Sequence, residues 1–512
     1  MQSGFLARAA TAIEHPVLAR PWGAMPAWCW LTVAAYAAAL YGVKLGGAHA
    51  LTEHEIVVAG IAKQMLRDGS WGGLWIGDLA WLEKPPLPHW LAALSLALVG
   101  DIGEAAVRLP SALEAIGVAL IVAGLAARWF GATVGLLSGL VQAGTWYMVT
   151  YARLAENDMV LCLLVTAAIA SFVMLQHADA GRTGPWRLAF WALLGATNLS
   201  KGPMFGAGIV VLACGSWLLW RRDGPGLRRL WSPLGMLLCA LIALAWPAWL
   251  IARGHGSELL AWWGGEMRGR MDGANFRAHA PPWYYLQSIT WQLLPWTPFL
   301  LIGAGPSLAR AWRERDSADR MLWSWAVVPI AVLSLPSYKH HHYIIHALPG
   351  LSPVIALGLM RVGRWIAAAA PSRPRAAGWL CGALFALVLA VLLVRHAPFL
   401  PNTDPSRADL AFLRRVDARV PAGERLIVSG GQPVARHVFY LDRPGRRAEG
   451  IWLPADIARH LRPGDTAHVV AHAGDAADLA RIGAIEVLDA SARARFEADP
   501  GRRYTLFRLT SR

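Results

Sequence analysis

The chain has 512 residues, of which 56% are hydrophobic and only 16% are charged, and its formal net charge is +15. Soluble proteins average about 25% charged residues, so this composition excludes a soluble globular protein and indicates an integral membrane protein. The basic excess does not predict nucleic-acid binding, because the arginines fall in short segments between apolar stretches, where the positive-inside rule explains them. All five cysteines lie in apolar stretches and form no CxxC pattern, so neither a disulfide framework nor a zinc site is predicted.

Ten apolar stretches approach the length of about 20 residues that a membrane-spanning helix needs. They lie at 27–45, 108–129, 132–151, 159–177, 187–220, 232–252, 284–304, 321–336, 343–362 and 378–394. The stretch 187–220 is interrupted by Ser200-Lys201-Gly202-Pro203, which favours two short helices and a total of about eleven spans. We expect the first span to be retained, because no small-residue cleavage pattern follows it.

Clusters of arginine and lysine predict how these spans are oriented. All clusters can be cytoplasmic if the run 88–99, which is too short to cross a bilayer, lies on the outer face. The segments that then face outward are 48–107, 152–158, 253–283 and 395–512. Five isolated ionisable residues meet on this predicted outer face: Glu55, Glu83, Lys84, Asp158 and Arg270.

The first outer segment, 48–107, opens on a predicted helix. Thr52 and Glu55 have the spacing of a capping box, which satisfies free backbone N–H groups at a helix start; the other interpretation is a carboxylate that faces a polar cavity, and both can hold. Apolar residues then recur with helical spacing and predict an amphipathic helix on the membrane: Val58, Ile61, Ala62, Met65 and Leu66. Further along, Glu83 and Lys84 stand before the rigid pair Pro85-Pro86, where charged side chains would be costly unless they bind a polar ligand.

Two more ionisable residues lie at the ends of apolar stretches. Asp158 opens the stretch 159–177, where it could be an N-cap, but Arg153, Glu156 and Asn157 make its surroundings densely polar. Lys201 could extend to the membrane surface; it also breaks a helix, and broken helices present free backbone groups to ligands. Ionisable groups at membrane depth are candidates for functional residues.

Two later segments are rich in groups that could bind phosphate. The segment 253–283 contains Arg270, whose guanidinium suits bidentate phosphate binding, although a solvated loop is the alternative. The segment Tyr338-Lys-His-His-His-Tyr343 invites a metal interpretation, but three consecutive histidines cannot all point to one site. We therefore favour a phosphate-facing polar loop there.

From about residue 400 the pattern changes to short strands that alternate with helices, which predicts a small α/β domain. The predicted strands are Leu426–Ser429, His468–Ala471, Ile485–Leu488 and 504–507, and the predicted helices are 405–419, 432–441, 455–461 and 475–482. We see no active-site motif in this region. The predicted organisation is a transmembrane domain over 1–398, which includes the outer loop 48–107, and a soluble domain over 399–512.

Several motifs, taken in order, resemble those of glycosyltransferase family 39, over roughly residues 27–360. They are Glu83-Lys84-Pro85-Pro86-Leu87-Pro-His-Trp90, Arg108-Leu-Pro-Ser-Ala112, Ala152-Arg-x4-Asp158, Lys201-Gly-Pro203, Trp283-Tyr-Tyr285 and Leu348-Pro349. The family uses polyprenyl-phosphate sugars and includes the bacterial lipid A aminoarabinose transferases and the protein O-mannosyltransferases. The resemblance implies the GT-C fold, a mainly helical multi-pass transmembrane bundle whose first long outer loop carries catalytic residues.

The resemblance also implies roles for individual residues. Asp158 matches an active-site aspartate, while Lys84 and Arg270 match positions that handle the donor phosphate. Glu83 matches a position that holds a divalent metal ion in some members, and Tyr343 matches a tyrosine near the phosphate.

This chain departs from the family pattern in two places. The family usually begins the first loop with Asp-Glu, where this chain has His54-Glu55, so the base role passes to Glu55, Glu53 or His54, or is absent. Met267 stands where the aminoarabinose transferases have a histidine, so a metal would need His279 or the 340–342 run as a ligand.

We therefore expect a glycosyltransferase with Glu55 and Asp158 as catalytic residues and a substrate site that includes His54, Lys84, Lys201, Arg270 and Tyr343. The expected partners are a polyprenyl-phosphate sugar donor, a glycolipid or protein acceptor and membrane lipids, without nucleic acid, in the bacterial inner membrane with the C-terminal domain periplasmic. The competing hypotheses are a protein O-mannosyltransferase-like enzyme, a transporter and a non-catalytic protein that binds a lipid-linked sugar. Transporters usually show internal repeats, and we find none in the sequence.

Overall fold

A computed structural model describes residues 25–47, 50–100, 103–202, 204–272, 280–337, 339–395, 405–421, 423–442, 448–451, 453–491 and 503–512. The chain forms two compact units. The first contains Met1–Val43, Glu83–Pro85 and Ser111–His396, and the second contains Lys44–Leu82, Pro86–Pro110 and Ala397–Arg512. The sequence predicts that the outer loop 48–107 belongs to the transmembrane domain 1–398, whereas in the structure most of this loop belongs to the second unit together with the C-terminal region.

The helices of the described chain, numbered in order, are α1 (Ala27–Gly42), α2 (Glu53–Asp68), α3 (Leu87–Val99), α4 (Glu104–Phe130), α5 (Ala132–Ala143), α6 (Trp146–Tyr151), α7 (Asn157–Gln176), α8 (Thr183–Lys201), α9 (Ile209–Arg221), α10 (Gly224–Leu230), α11 (Pro233–Ala252), α12 (Gly256–Asp272), α13 (Tyr284–Gln292), α14 (Thr297–Arg313), α15 (Ala318–Leu333), α16 (Leu348–Ala369), α17 (Ala376–Arg395), α18 (Pro405–Arg419), α19 (Gly431–Tyr440) and α20 (Ala476–Ile482). Short 3-10 turns cover Ala180–Arg182, His341–Ala347, Pro454–His460 and Ala473–Asp475, and a π-turn covers Met204–Gly208. The strands are β1 (Trp75–Ile76), β2 (Leu79–Ala80), β3 (Leu426–Ser429), β4 (Glu449–Ile451), β5 (Thr466–His472), β6 (Gly483–Ala490) and β7 (Tyr504–Ser511).

The first unit is a multi-pass membrane bundle. Five helical segments of the described chain are long and apolar enough to cross a bilayer: Glu104–Phe130, Asn157–Gln176, Pro233–Ala252, His341–Ala369 and Ala376–Arg395. Shorter apolar helices accompany them. The predicted split of the stretch 187–220 into two helices is confirmed, because α8 ends at Lys201 and α9 begins at Ile209.

Two other predicted spans are also interrupted. The stretch 132–151 divides at Gly144-Thr145 between α5 and α6. The stretch 284–304 divides around Pro295, between α13 and α14. At the second break, Pro295 lacks the N–H that a helix interior needs, and its ring clashes with the preceding turn. Apolarity alone therefore predicted continuous spans where the backbone breaks.

The C-terminal part of the second unit is a five-stranded sheet in the order β4-β3-β5-β7-β6. Strand β3 runs parallel to β4 and β5, and β7 runs antiparallel to β5 and β6. Its core is a cluster of aliphatic and aromatic side chains with Ile427, Val469 and Phe507 at the centre, all nearly inaccessible to solvent. The four predicted strands are confirmed; β4 escaped prediction because three residues are too few to show alternation.

The amphipathic helix of the outer loop is α2, and its apolar face is buried within the second unit. Val58, Ile61 and Met65 are buried there, where α2 packs against α3 and α19. The sequence interpretation had placed this face on the membrane. The structure differs because α19, which lies almost 370 residues further along the chain, covers the apolar stripe.

The contact between α2 and α19 is close enough to require a glycine. A Cβ at Gly60 would lie 2.8 Å from the Ala435 Cα and 3.0 Å from the Ala435 carbonyl oxygen. Polar groups reinforce the contact, since the Lys63 Nζ donates to the Phe439 carbonyl at 2.6 Å. Leu51, just before α2, donates its N–H to the Tyr440 hydroxyl at 3.0 Å, and its carbonyl accepts from the Arg436 Nη1 at 3.2 Å.

Replacing Gly60 with alanine should destabilise the second unit by about 1–3 kcal/mol, the usual cost of forcing extra volume into a packed contact. The thermal unfolding midpoint of the detergent-solubilised protein would measure this. Gly265→Ala is the matched control, because a Cβ there meets no atom within 4 Å and alanine favours a helix interior. Equal midpoints for the two variants would contradict the packing argument.

Candidate active site

The site in the first unit begins where the start of α7 meets the end of α8. The Asn157 Nδ2 donates to the Ser200 carbonyl at 3.2 Å, and the Ser200 hydroxyl donates to the Asn157 carbonyl at 3.3 Å. Gly202 follows with a φ of 80°, a left-handed value that glycine adopts without strain and that ends α8. These contacts place the next residue of each helix, Asp158 and Lys201, opposite one another.

Asp158 and Lys201 form a buried ion pair. The Lys201 Nζ lies 2.7 Å from the Asp158 Oδ1, and both side chains are more than nine-tenths buried. The N-cap alternative for Asp158 is wrong, because the capping position is Glu156 and Asp158 lies within the first turn. The alternative in which Lys201 extends to the membrane surface is also wrong, because its ammonium points inward to the carboxylate.

Aromatic rings complete the surroundings of the Lys201 ammonium. It lies 4.8 Å from the centre of the Tyr343 ring and 5.5 Å from that of Phe205, at distances where cation–π attraction operates. Phe205 comes from the π-turn that follows the helix break. Tyr343 comes from the 3-10 turn before α16. The structure therefore brings together three of the residues that the sequence singled out, namely Asp158, Lys201 and Tyr343.

Lys84 lies close to this pair. Its charge is within electrostatic range of the Asp158 carboxylate, as is the His342 ring. Its Nζ stands 3.9 Å from the Glu83 carboxylate, and the Lys84 side chain keeps about 30% of its surface exposed. Lys84 is thus a more accessible cation than Lys201, which the chain has already paired.

The histidine run is packed as an aromatic cluster. The His340 and His342 rings stack with centroids 4.9 Å apart, and the His341 Nδ1 forms a hydrogen bond with the Tyr147 hydroxyl. The backbone is fixed as well, because the His341 carbonyl accepts from the Gln292 Nε2 at 2.7 Å. The residues lie beside the Asp158–Lys201 pair, and their rings contact one another and neighbouring aromatic rings.

The family resemblance predicts a divalent metal ion at Glu83. In the described part of the chain, no three His, Cys, Asp or Glu side chains come together in a way that could hold a metal ion. The metal ion at Glu83 therefore stays a prediction of the sequence. Of the other suggested ligands, His279 lies outside the described residues.

In the second unit, Glu55 forms the predicted capping box at the start of α2, which is confirmed. Its carboxylate is also held by Arg108: Oε1 accepts from Nε at 2.7 Å and Oε2 from Nη2 at 3.0 Å. Oε2 further accepts from the Thr52 N–H at 3.0 Å. Glu55 is fully buried, so its oxygens are committed to holding the loop together, which disfavours a role as catalytic base.

Arg108 extends this network along the loop. It donates from Nη1 to the Leu45 carbonyl at 3.1 Å and from Nη2 to the Ala50 carbonyl at 3.4 Å. Tyr440 adds a second anchor, since its hydroxyl donates to the Glu104 carboxylate at 3.0 Å. Burial, together with the neighbouring Glu104, raises the pKa of the Tyr440 hydroxyl, which therefore stays a neutral hydrogen-bond donor.

Two of the predicted site residues, His54 and Arg270, have no described contact with the Asp158–Lys201 pair. His54 is exposed in the first turn of α2, in the second unit. Arg270 falls in α12, and its side chain lies outside the described residues. Sequence reasoning assigned no role to the side chain of Arg108; a single arginine at the start of an apolar stretch was the signal for a buried partner.

The architecture defines a class of protein. It superposes on the crystal structure of ArnT from Cupriavidus metallidurans bound to undecaprenyl phosphate with a TM-score of 0.72 and 20% identity, over 94% of this chain and 98% of that chain. An oligosaccharyltransferase of Archaeoglobus fulgidus superposes with a TM-score of 0.53 and 12% identity, over 88% and 69%. The chain therefore has the predicted GT-C fold.

The resemblance to glycosyltransferase family 39 is confirmed by sequence as well. Residues 83–249 match the family described as dolichyl-phosphate-mannose-protein mannosyltransferase. The undecaprenyl phosphate-alpha-4-amino-4-deoxy-L-arabinose arabinosyl transferase of Erwinia tasmaniensis is 32% identical over 377 residues, which is 70% of this chain and 65% of that protein. Its counterpart in Edwardsiella ictaluri is 31% identical over 333 residues, or 64% and 58%. The chain thus spans less than two thirds of these relatives' length.

Replacing Arg108 with alanine should destabilise the protein by about 3–5 kcal/mol, because it leaves the buried Glu55 carboxylate without its cation. Arg425→Ala is the control: its pair with Glu449 has similar distances of 2.7 Å but lies at the surface, where a pair contributes about 1 kcal/mol or less. Denaturant unfolding in detergent would compare the two. If Arg108→Ala proved as mild as the control, Glu55 would not need its partner.

Proposed function

We propose that this protein is a membrane glycosyltransferase that moves a sugar from a polyprenyl-phosphate donor to an acceptor of the cell envelope, at the outer face of the bacterial inner membrane. The observation that carries the proposal is the buried Asp158–Lys201 pair, with the accessible Lys84 ammonium beside it, in a membrane bundle of GT-C fold. Support also comes from the named relatives, which are arabinosyl transferases.

The chemistry of such a transfer matches these residues. An oxygen of the acceptor attacks the anomeric carbon, and the bond from that carbon to the phosphate oxygen breaks. The leaving phosphate monoester takes the bonding electrons and gains negative charge. Preorganised cations stabilise developing charge strongly in a site that excludes water. Lys84 is suited to this role because its ammonium is not fully paired, and the family resemblance adds Arg270.

Asp158 is suited to act on the sugar or the acceptor. Lys201 holds one of its oxygens and keeps the carboxylate ionised and oriented. The structure records no other hydrogen bond to Asp158 within the described residues, so its second oxygen is available. That oxygen can take the proton of an acceptor hydroxyl or stabilise positive charge on the anomeric carbon; a positioned base typically contributes about 10²–10⁴-fold.

The commitment of Glu55 to Arg108 bears on the acceptor. A phosphate acceptor, as in lipid A, is already ionised and needs no strong base, so a first loop whose Glu55 is held by Arg108 suits it. The second candidate is a protein hydroxyl acceptor, which the match of residues 83–249 to the protein mannosyltransferases favours. The two candidates differ in whether a proton must be removed.

Asp158→Asn and Lys84→Ala should each lower transfer by about 10²-fold or more, because one removes the carboxylate and the other a cation that stabilises the leaving group. Transfer of radiolabelled sugar from a polyprenyl-phosphate donor to envelope acceptors would be measured on purified protein, with each rate normalised to the folded fraction, because Asp158→Asn also removes the partner of the buried Lys201. Asp179→Asn, a change at an exposed loop residue, is the control and should retain activity. Full activity in Asp158→Asn would refute the assignment.

Purified protein should prefer lipid A to a serine- or threonine-containing peptide as acceptor, because the acceptor phosphate requires no general base. Initial rates with the same labelled donor would be compared for both acceptors. A preference for the peptide would favour the mannosyltransferase-like alternative and would require a base other than Glu55.

A further inference from the structure

Glu114 is a second carboxyl group inside the membrane bundle, and the proposed reaction does not use it. It lies in α4, within the apolar segment Glu104–Phe130, and is only 8% exposed. Its neighbour Leu113 is 58% exposed on the outer surface of the helix, while Ser111 and Ala115 are buried on the same inward face as Glu114. The carboxyl group therefore points into the bundle.

The inward face of α4 at this level meets α7, the helix that carries Asp158. A Cβ at Gly117 would lie 3.1 Å from the Leu163 Cδ1, so the two helices pack closely there. Cys162 follows Asp158 by one helical turn on α7. The Cys162 thiol is within electrostatic range of both the Asp158 and the Glu114 carboxyl groups. Glu114 and Asp158 therefore both lie near Cys162 inside the bundle.

The two carboxyl groups differ in how the chain compensates them. Asp158 has the Lys201 ammonium at 2.7 Å. For Glu114, the structure gives neither a hydrogen bond nor an ion pair with any described residue. A buried carboxylate without a partner is costly, and such groups are normally paired with a cation or hydrogen-bonded. An ionisable residue at membrane depth is a candidate functional residue, so a ligand is one partner that Glu114 could bind.

We propose that Glu114 is a specificity-determining residue that binds a positively charged amino group on the transferred sugar. This rests on the proposed function, since a sugar whose anomeric carbon lies beside Asp158 can extend its far end toward Glu114. The chemistry fits the donor of the relatives, whose printed name specifies a 4-amino-4-deoxy sugar. Lys201 supplies a positive charge to Asp158, and the amino group of the sugar would supply the one that no described residue supplies to Glu114.

Selectivity follows from this pairing. An amino sugar brings its own cation and forms a charge-assisted hydrogen bond with the Glu114 carboxylate. A sugar whose amino group is acylated is neutral and leaves the buried carboxylate unpaired. Sites that leave buried polar groups unpaired reject the wrong substrate strongly. The wild-type protein should therefore prefer the amino donor.

The test compares two undecaprenyl-phosphate donors, one with 4-amino-4-deoxy-L-arabinose and one with the same sugar N-acetylated, with lipid A as acceptor. Wild-type protein should transfer the amino sugar with the higher kcat/KM. Glu114→Gln should lower kcat/KM for the amino donor by about 10-fold or more and change the acetylated donor by less than about threefold. Glu114→Asp should restore part of the preference, and Glu258→Gln, on an exposed part of the same unit, should behave as wild type.

A binding measurement separates this inference from the proposed function. The increase in the unfolding midpoint that each donor causes on binding can be measured without any transfer. In the wild type the amino donor should raise the midpoint more than the acetylated donor does. In Glu114→Gln the two donors should raise it equally. If neither donor is turned over yet this difference appears, the transfer proposal fails and the Glu114 inference stands. If Glu114→Gln lowered kcat/KM equally for both donors, or for neither, the role of Glu114 would be overturned.

Discussion

The arrangement of the first unit depends on one buried ion pair, that of Asp158 with Lys201. Two separate helices end or begin at these residues, and the reciprocal hydrogen bonds of Asn157 and Ser200 bring them into register. Neither charge could stay buried alone, because desolvation of an isolated ion costs several kcal/mol or more. The pair therefore requires that the helix α8 end at Gly202, which lets the Lys201 side chain turn inward to the carboxylate. Tyr343 and the histidine run pack around this ion pair.

The second unit also contains a buried carboxylate, that of Glu55, and compensates its charge in a different way. Arg108 uses its planar guanidinium to hold both oxygens of Glu55 and two carbonyl groups of the preceding segment. A lysine could not make these contacts together, because it presents a single point charge. The buried Glu55 carboxylate thus fixes a loop through several hydrogen bonds. Asp158 accepts a hydrogen bond from Lys201 at one oxygen, which leaves the other for the catalytic role that we propose.

The sequence predicted the elements better than their partners. The C-terminal strands, the capping box of Thr52 and Glu55 and the interruption at Lys201 all follow from local rules of alternation, capping and helix breaking. The pairing of Glu55 with Arg108 joins residues 53 positions apart, and no local pattern specifies it. The same limit explains α2: its apolar stripe was evident, but periodicity cannot tell whether lipid or protein covers it. The sequence did not indicate a role for Glu114, because a single acidic residue in an apolar stretch can also be a solvent-exposed position without function. Its burial becomes evident only in the structure.

The contact of α2 with α19 has a consequence for how the protein is made. Gly60 and Ala435 touch, although the ribosome adds several hundred residues between them. Nearly the whole polypeptide must therefore be synthesised before α19 can cover the apolar stripe of α2, to which Val58 and Ile61 belong. An exposed apolar surface of that kind is prone to aggregation and is a target for chaperones. Closure of this distant contact is thus a late step of biogenesis, and premature termination anywhere before α19 would leave the first loop without its cover.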